Sequence, residues 1–156
     1  KPELIDEMEA SILVFFTGRT RSASEVLSNQ SLAMRSDDRR ALMRRMVQLA
    51  FDMKEQLETG SLEHIGEMLD ENWRLKSQLS KGITDAEIDS WYAAGMANGA
   101  LGGKLLGAGN GGFLMFYAPA ERHIDITKKL SNLQPVKFKF DRNGTQIVFY
   151  KPVRKE

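Results

Sequence analysis

"GALGGKLLGAGNGGFLMFYAP", residues 99–119, puts seven of the chain's 13 glycines into its first fourteen residues, and a dense apolar run follows at once. A turn needs one or two glycines. Each ordered glycine costs on the order of 0.5–1 kcal/mol relative to alanine in regular structure, so this density asks for a cause. From the residues alone two causes stay open. Successive bare N–H groups can cradle an anion, or brace a neighbouring loop against one. Alternatively the stretch is only a tight, closely packed connection. "GAGNGG" (107–112) fits G-x-G-x-x-G as a string, but a dinucleotide fingerprint follows a strand and opens a helix. Here a helix is expected before the loop and a strand, 113–119, after it. The phosphate loop G-x-x-x-x-G-K-[ST] is absent, because Gly103-Lys104 runs into Leu105.

Outward from the loop, periodicity assigns the elements. "SILVFFTG" (11–18) is a continuous apolar run closed by glycine, the pattern of a buried strand. A helical turn is expected at 22–27. Leu42, Met46, Leu49, Ala50, Met53 and Leu57 share one helical face over 37–58, with Ser36 as N-cap and Gly60 as stop. A second helix runs from a Ser61 cap to about 80, with Leu62, Ile65, Leu69 and Trp73 as its stripe, and ends at Gly82. "TDAE" (84–87) reads as a capping box that opens a third helix, 85–98. A short helix is expected over 120–130. "VKFKF" (136–140) alternates strictly, "DRNG" (141–144) is a turn, and "TQIVFYK" (145–151) is the returning strand. The fold class is therefore α+β: a four-stranded antiparallel sheet with helices packed on one face, an elaborated ferredoxin-like arrangement.

The chain has 156 residues, enough for a single domain over 1–156 with a real core. Lys and Arg number 22 against 21 Asp and Glu, which argues against a general polyanion binder but leaves room for a local cationic pocket. The basic run Arg35, Arg39, Arg40, Arg44 and Arg45 is interrupted by Asp37 and Asp38 and reads as a solvated helix face, so no nucleic-acid partner is expected. With no cysteine, disulfides and thiolate metal sites are excluded, and a reducing, cytoplasmic setting is expected. No apolar run approaches the ~20 residues of a membrane span, and the first residues lack the marks of a signal peptide. His64 and His123 suggest no metal site. The chain does not begin with Met, and a fragment of a longer polypeptide is expected.

"GGKLLGAGNGGFLMFYAP" (102–119) closely resembles the third signature motif of the GHMP kinases, the galactokinase, homoserine, mevalonate and phosphomevalonate kinase superfamily. There it is a glycine loop leading into a strand of the C-terminal domain. "FFTGRTRSASEVL" (15–27) and "LDENWRLKSQLS" (69–80) are similar to segments of the heptose-phosphate kinase branch, and fucose kinases carry comparable ones. The resemblance implies transfer of the γ-phosphoryl of ATP, with Mg²⁺, to the anomeric hydroxyl of a heptose 7-phosphate, a step toward nucleotide-activated heptose. It also implies that ATP and Mg²⁺ are held mainly by an N-terminal domain absent from this chain, and that this chain alone has no kinase activity. No residue here is identified as the catalytic base. By position in the family motif, Gly107, Ala108, Gly109, Asn110, Gly111 and Gly112 border the transferred phosphoryl, with Lys104 lending charge unless it is only a solvated lysine at a helix end. Asn110 stands where the usual family loop has another glycine. Arg19, Thr20 and Arg21 would hold the sugar phosphate, guanidinium forks suiting its oxygens, unless the arginines are surface residues beside a turn. Trp73 and Lys76 would reach the sugar, unless Trp73 is a core residue. Two alternatives stand: another sugar kinase, as for fucose, or a non-catalytic ferredoxin-like module that binds a small anion or a partner chain.

Overall fold

The computed structural model describes residues 2–20 and 36–149. The helical turn expected at 22–27, and Arg21, lie outside them. The elements run α1 (Pro2–Ala10), β1 (Ile12–Phe16), α2 (Asp37–Thr59), α3 (Ile65–Ser77), α4 (Ala86–Ala97), β2 (Gly102–Leu105), β3 (Phe113–Tyr117), a 3-10 turn (Ala120–Arg122), α5 (His123–Lys129) and β4 (Gln134–Pro135). The four strands form one antiparallel sheet in the order β2-β3-β1-β4. This is the expected α+β class.

Local signals explain most helix ends. Gly60 stops α2 in the left-handed conformation, its N–H reaching the carbonyls of Gln56 and Leu57. Ser36 is the N-cap residue of α2 by position, though its side chain makes no capping bond. α3 begins at Ile65, later than a Ser61 cap would set it, and His64 takes the N-cap position. The cap of α4 is Asp85, whose carboxylate accepts from the N–H groups of Glu87 and Ile88. Thr84 bonds the Asp89 carboxylate instead, so the cap lies one residue later than the expected capping box, and Glu87 pairs with Arg19.

Two of the four strands differ from expectation. Gly102–Leu105 is a strand despite its glycines, and pairs with β3 from Gly102 opposite Tyr117 to Leu105 opposite Leu114. The expected hairpin of 136–140 and 145–151 does not form within the described residues 136–149. Its first segment leaves the sheet edge after Val136 donates to the Val14 carbonyl. It then turns onto α1, where Lys139 and the Phe140 N–H engage Glu9 and Arg142 engages Asp6. The N–H that a hairpin ladder would use is thus taken by a carboxylate. Ile147, Val148 and Phe149 stand exposed.

Alternation along β3 feeds two apolar clusters. Leu114 and Phe116 enter the larger, with Phe15, Leu105, Trp73 and Ile88. Tyr117 and Met115 enter the smaller, with Ile65 and Leu69 of α3. α3 accompanies β2, and the contact is close: a Cβ on Gly102 would lie 1.8 Å from the Gly66 carbonyl oxygen. Gly102→Ala should therefore push α3 off β2 and cost about 1–3 kcal/mol, the range for overpacking. Denaturant unfolding checks this, and an unchanged midpoint would refute the close contact.

Candidate functional site

The glycine segment is the loop of a hairpin. It leaves β2 at Leu106, whose N–H donates to the Phe113 carbonyl at 2.8 Å, and re-enters the sheet at Phe113. The helix expected before it ends earlier, at Ala97, and the strand β2 intervenes. A strand now precedes the loop, but the loop still opens no helix, so the dinucleotide reading fails.

Five of the loop's residues have positive φ: Gly107, Gly109, Asn110, Gly111 and Gly112. Gly109, Asn110 and Gly111 of the loop are buried and Gly107 is exposed. A Cβ at Gly109 would come within 2.8 Å of the Ile83 carbonyl oxygen, and one at Gly111 within 3.0 Å of Arg19. At Gly107, a Cβ would meet nothing within 4 Å among the described residues. Gly109 and Gly111 therefore serve close approach, while Gly107 is exposed.

Three separate segments hold this conformation. At the tip, the Asn110 N–H donates to the Ile83 carbonyl at 2.8 Å. At the exit, the Gly112 N–H donates to the Arg19 carbonyl at 2.8 Å, and the Gly112 carbonyl accepts from both the N–H and the hydroxyl of Thr17, each at 2.9 Å. At the entrance, Lys76 Nζ donates to the carbonyl of Leu105 at 3.1 Å and to that of Gly107. Thr17 and Ile83 were not singled out by sequence; the Thr-Gly pair closing β1 is the signal that marks Thr17. Asn110 tolerates left-handed backbone better than most residues, and is 8% exposed. Its side-chain amide makes no hydrogen bond among the described residues.

The other candidates separate. Lys104 lies in β2 and not at a helix end, and its Nζ donates to the Asn72 side chain at 2.6 Å. Burial lowers its pKa. Lys76 is 8% exposed, and its ammonium is spent on the loop carbonyls. Burial first, then the Lys104 charge, lowers its pKa to about 8. Trp73 is a core residue, 3% exposed, with its ring 6.0 Å from that of Tyr92, and offers no open face to a sugar. The Tyr92 hydroxyl donates to Asp70 at 2.7 Å, and burial and that carboxylate raise its pKa. Arg19 is bound by two carboxylates, Asp85 at 2.6 Å and Glu87, and lies over the Trp91 ring. Thr20 beside it is exposed. Arg19 and Thr20 thus flank the exit of the loop, Lys76 and Lys104 its entrance, and Trp73 belongs to neither. Among the described residues no three His, Cys, Asp or Glu side chains come together as metal ligands, and no helix is long and apolar enough to cross a membrane.

A model of the C-terminal region of GHMP kinases matches residues 53–133, which span α3, α4, β2, the glycine loop and β3. The chain belongs to the GHMP kinases, as their C-terminal domain. It is 28% identical over 145 residues to the D-glycero-alpha-D-manno-heptose 7-phosphate kinase of Campylobacter jejuni, covering 92% of this chain and 43% of that protein. It is 30% identical over 132 residues to the bifunctional fucokinase/GDP-fucose pyrophosphorylase of Arabidopsis thaliana, covering 83% of this chain and 12% of that one. The fold also matches the crystal structure of L. major mevalonate kinase in complex with R-mevalonate, with a TM-score of 0.66 and 24% identity, over 78% of this chain and 37% of that one. This GHMP domain therefore spans less than half the length of each of these relatives.

The buried Lys76 carries a thermodynamic signature. Its affinity for a proton falls from the ordinary value of 10.5 to about 8 on folding. Between those values the unfolded chain holds more protons than the folded one, so stability rises with pH across the window and is lost as pH falls to about 8. Relative to Lys76→Met, the wild-type protein should gain up to about 1.4 kcal/mol per pH unit there. Denaturant unfolding of both proteins at several pH values measures the slope, and parallel profiles would contradict it.

Proposed function

We propose that this domain completes the phosphoryl-transfer site of an ATP-dependent sugar kinase whose substrate is a heptose 7-phosphate. The observation that carries the reading is the glycine loop: held by three segments, with Gly107 exposed at its entrance. A rigid row of amides suits phosphoryl transfer, which relies on positioning and electrostatic stabilisation. In the reaction the anomeric oxygen of the sugar forms a bond to the γ-phosphorus. The bond from that phosphorus to the β,γ-bridging oxygen breaks, ADP leaves, and the hydroxyl proton passes to a base.

The domain supplies the loop Gly107–Gly112, in which the recessed Asn110 amide is a polar group available to a ligand. ATP and Mg²⁺ would be held mainly by the N-terminal domain of the full-length kinase, which bears the larger share of the site. Bound Mg²⁺ supplies charge neutralisation of the phosphates. Arg19 would act at the sugar-phosphate end through its place beside the loop exit, with Thr20 and Arg21 next to it. An ATP-using enzyme of this kind would work in the cytoplasm. The 92% coverage by the Campylobacter heptose 7-phosphate kinase supports the heptose reading. The 30% identity to the Arabidopsis fucokinase supports fucose as the second reading.

A panel of heptose 7-phosphate, fucose and mevalonate, assayed with ATP on the full-length protein, separates these. Heptose 7-phosphate should be turned over with the highest kcat/KM, and residues 1–156 alone should transfer nothing. Preference for fucose would select the second reading, and phosphorylation by residues 1–156 alone would refute the division of the site.

A further inference from the structure

A buried lysine with no carboxylate partner needs a reason to be kept. Among the described residues no Asp or Glu lies within ion-pair distance of Lys76. Its ammonium instead donates to the carbonyls of Leu105 and Gly107, on either side of the loop's first bend. Lys104 on β2 is the charged group whose field bears on it. Tyr92 on α4 and Asp70 on α3 are bonded to each other, and Asp70 also pairs with Arg74. A desolvated ammonium forms short, strong bonds to carbonyls, and an apolar residue of the same length would pack there at less cost in solvation.

The geometry of the peptide unit says what these bonds do. In a trans peptide the C=O of one residue and the N–H of the next point to opposite sides. Fixing the Gly107 carbonyl toward Lys76 therefore fixes the Ala108 N–H away from it. Fixing the Leu105 carbonyl does the same for the Leu106 N–H, which closes the hairpin on Phe113. The other clamps, Ile83, Arg19 and Thr17, act only from Asn110 onward. At the entrance the Leu106 N–H is tied to Phe113, and Lys76 is a side chain that reaches both entrance carbonyls.

We infer that Lys76 is a positioning residue of the phosphoryl-transfer site: from inside the fold it orients the entrance peptides of the glycine loop, and it does not touch the sugar. The inference rests on the loop's proposed role in transfer and assigns Lys76 to the loop rather than to the substrate.

The test uses the full-length protein with Lys76→Met, which keeps the stem and removes the donors. A misdirected amide should lower kcat on the order of 10²-fold, while the sugar KM stays within about a factor of two, as expected when only transition-state contacts are lost. Hydrogen–deuterium exchange gives a readout independent of activity. The Leu106 amide, at the loop entrance, should lose about tenfold or more in protection, while those of β1 and β3 keep theirs. Unchanged protection at Leu106, or a raised sugar KM with kcat intact, would overturn the inference. Should Lys76→Met fail to fold, the wild-type protein decides. Protection at Leu106 should fall between about pH 7 and about pH 9, beyond the intrinsic rate change, as the ammonium loses its proton, and a flat profile would overturn the inference. If the wild-type protein phosphorylates no sugar, the kinase reading fails, and the exchange comparison still decides whether Lys76 holds the loop.

Discussion

The near-contact of α3 with β2 is the constraint on which the site depends. With glycine at both 66 and 102, the helix backbone can rest on the strand backbone with no side chain between them. α3 then follows β2 toward the loop. Its Asp70 meets Tyr92, its Asn72 meets Lys104, and its Lys76 arrives beneath Leu105 and Gly107. A wider gap at the first position would carry the last one out of hydrogen-bond range. The glycines before the loop therefore serve packing, and those within it serve conformation.

The loop itself is an unusual object to hold still. Backbone entropy disfavours any single arrangement of so many glycines. The hydrogen bonds that offset this come from three places far apart in sequence: the end of β1, the turn before α4, and the last turn of α3. Each is anchored in turn. Phe15 of β1 and Ile83 are fully buried, and Arg19 is braced by Asp85 and Glu87 at the start of α4. That start is also where Asp85 caps the helix. One carboxylate thus caps the start of a helix and steadies the chain that holds the loop.

How far the sequence was legible depended on whether side chains or their absence carried the signal. β1, β3, α2 and α3 were readable because apolar spacing marks them, and α4 because of the capping signal before it, whereas α1 was not expected. β2 was not, because "GGKL" has almost no strand propensity; its strand character comes from pairing with β3 and from the helix that its glycines admit. The hairpin over 136–149 had the right alternation and the right turn, and lost to the carboxylates of α1. Pro135 contributes, since it brings no N–H to the ladder with β1. In the site, the loop was found by composition and motif, but the partners of its charged neighbours were not. Arg19 reads as a free cation in sequence, and only the fold brings Asp85 and Glu87 to it. Trp73 sits on a helix stripe, which is a core signature, and the core is where it lies.

A domain that forms one wall of an active site, the role proposed for this one, faces opposing demands. The wall has to be stiff, because reacting atoms displaced by even ~1 Å slow the chemistry heavily. It also has to leave its outer side bare, because that side meets a ligand. In this chain the two demands fall on alternate residues of one short loop. Gly109 and Gly111 press against backbone and make the wall stiff, whereas Gly107 is exposed and meets no described residue. Asn110 joins the two, with its N–H tied to Ile83 and its side chain unclaimed among the described residues. Positive φ at 109, 110 and 111 together is what allows a single turn to look both ways.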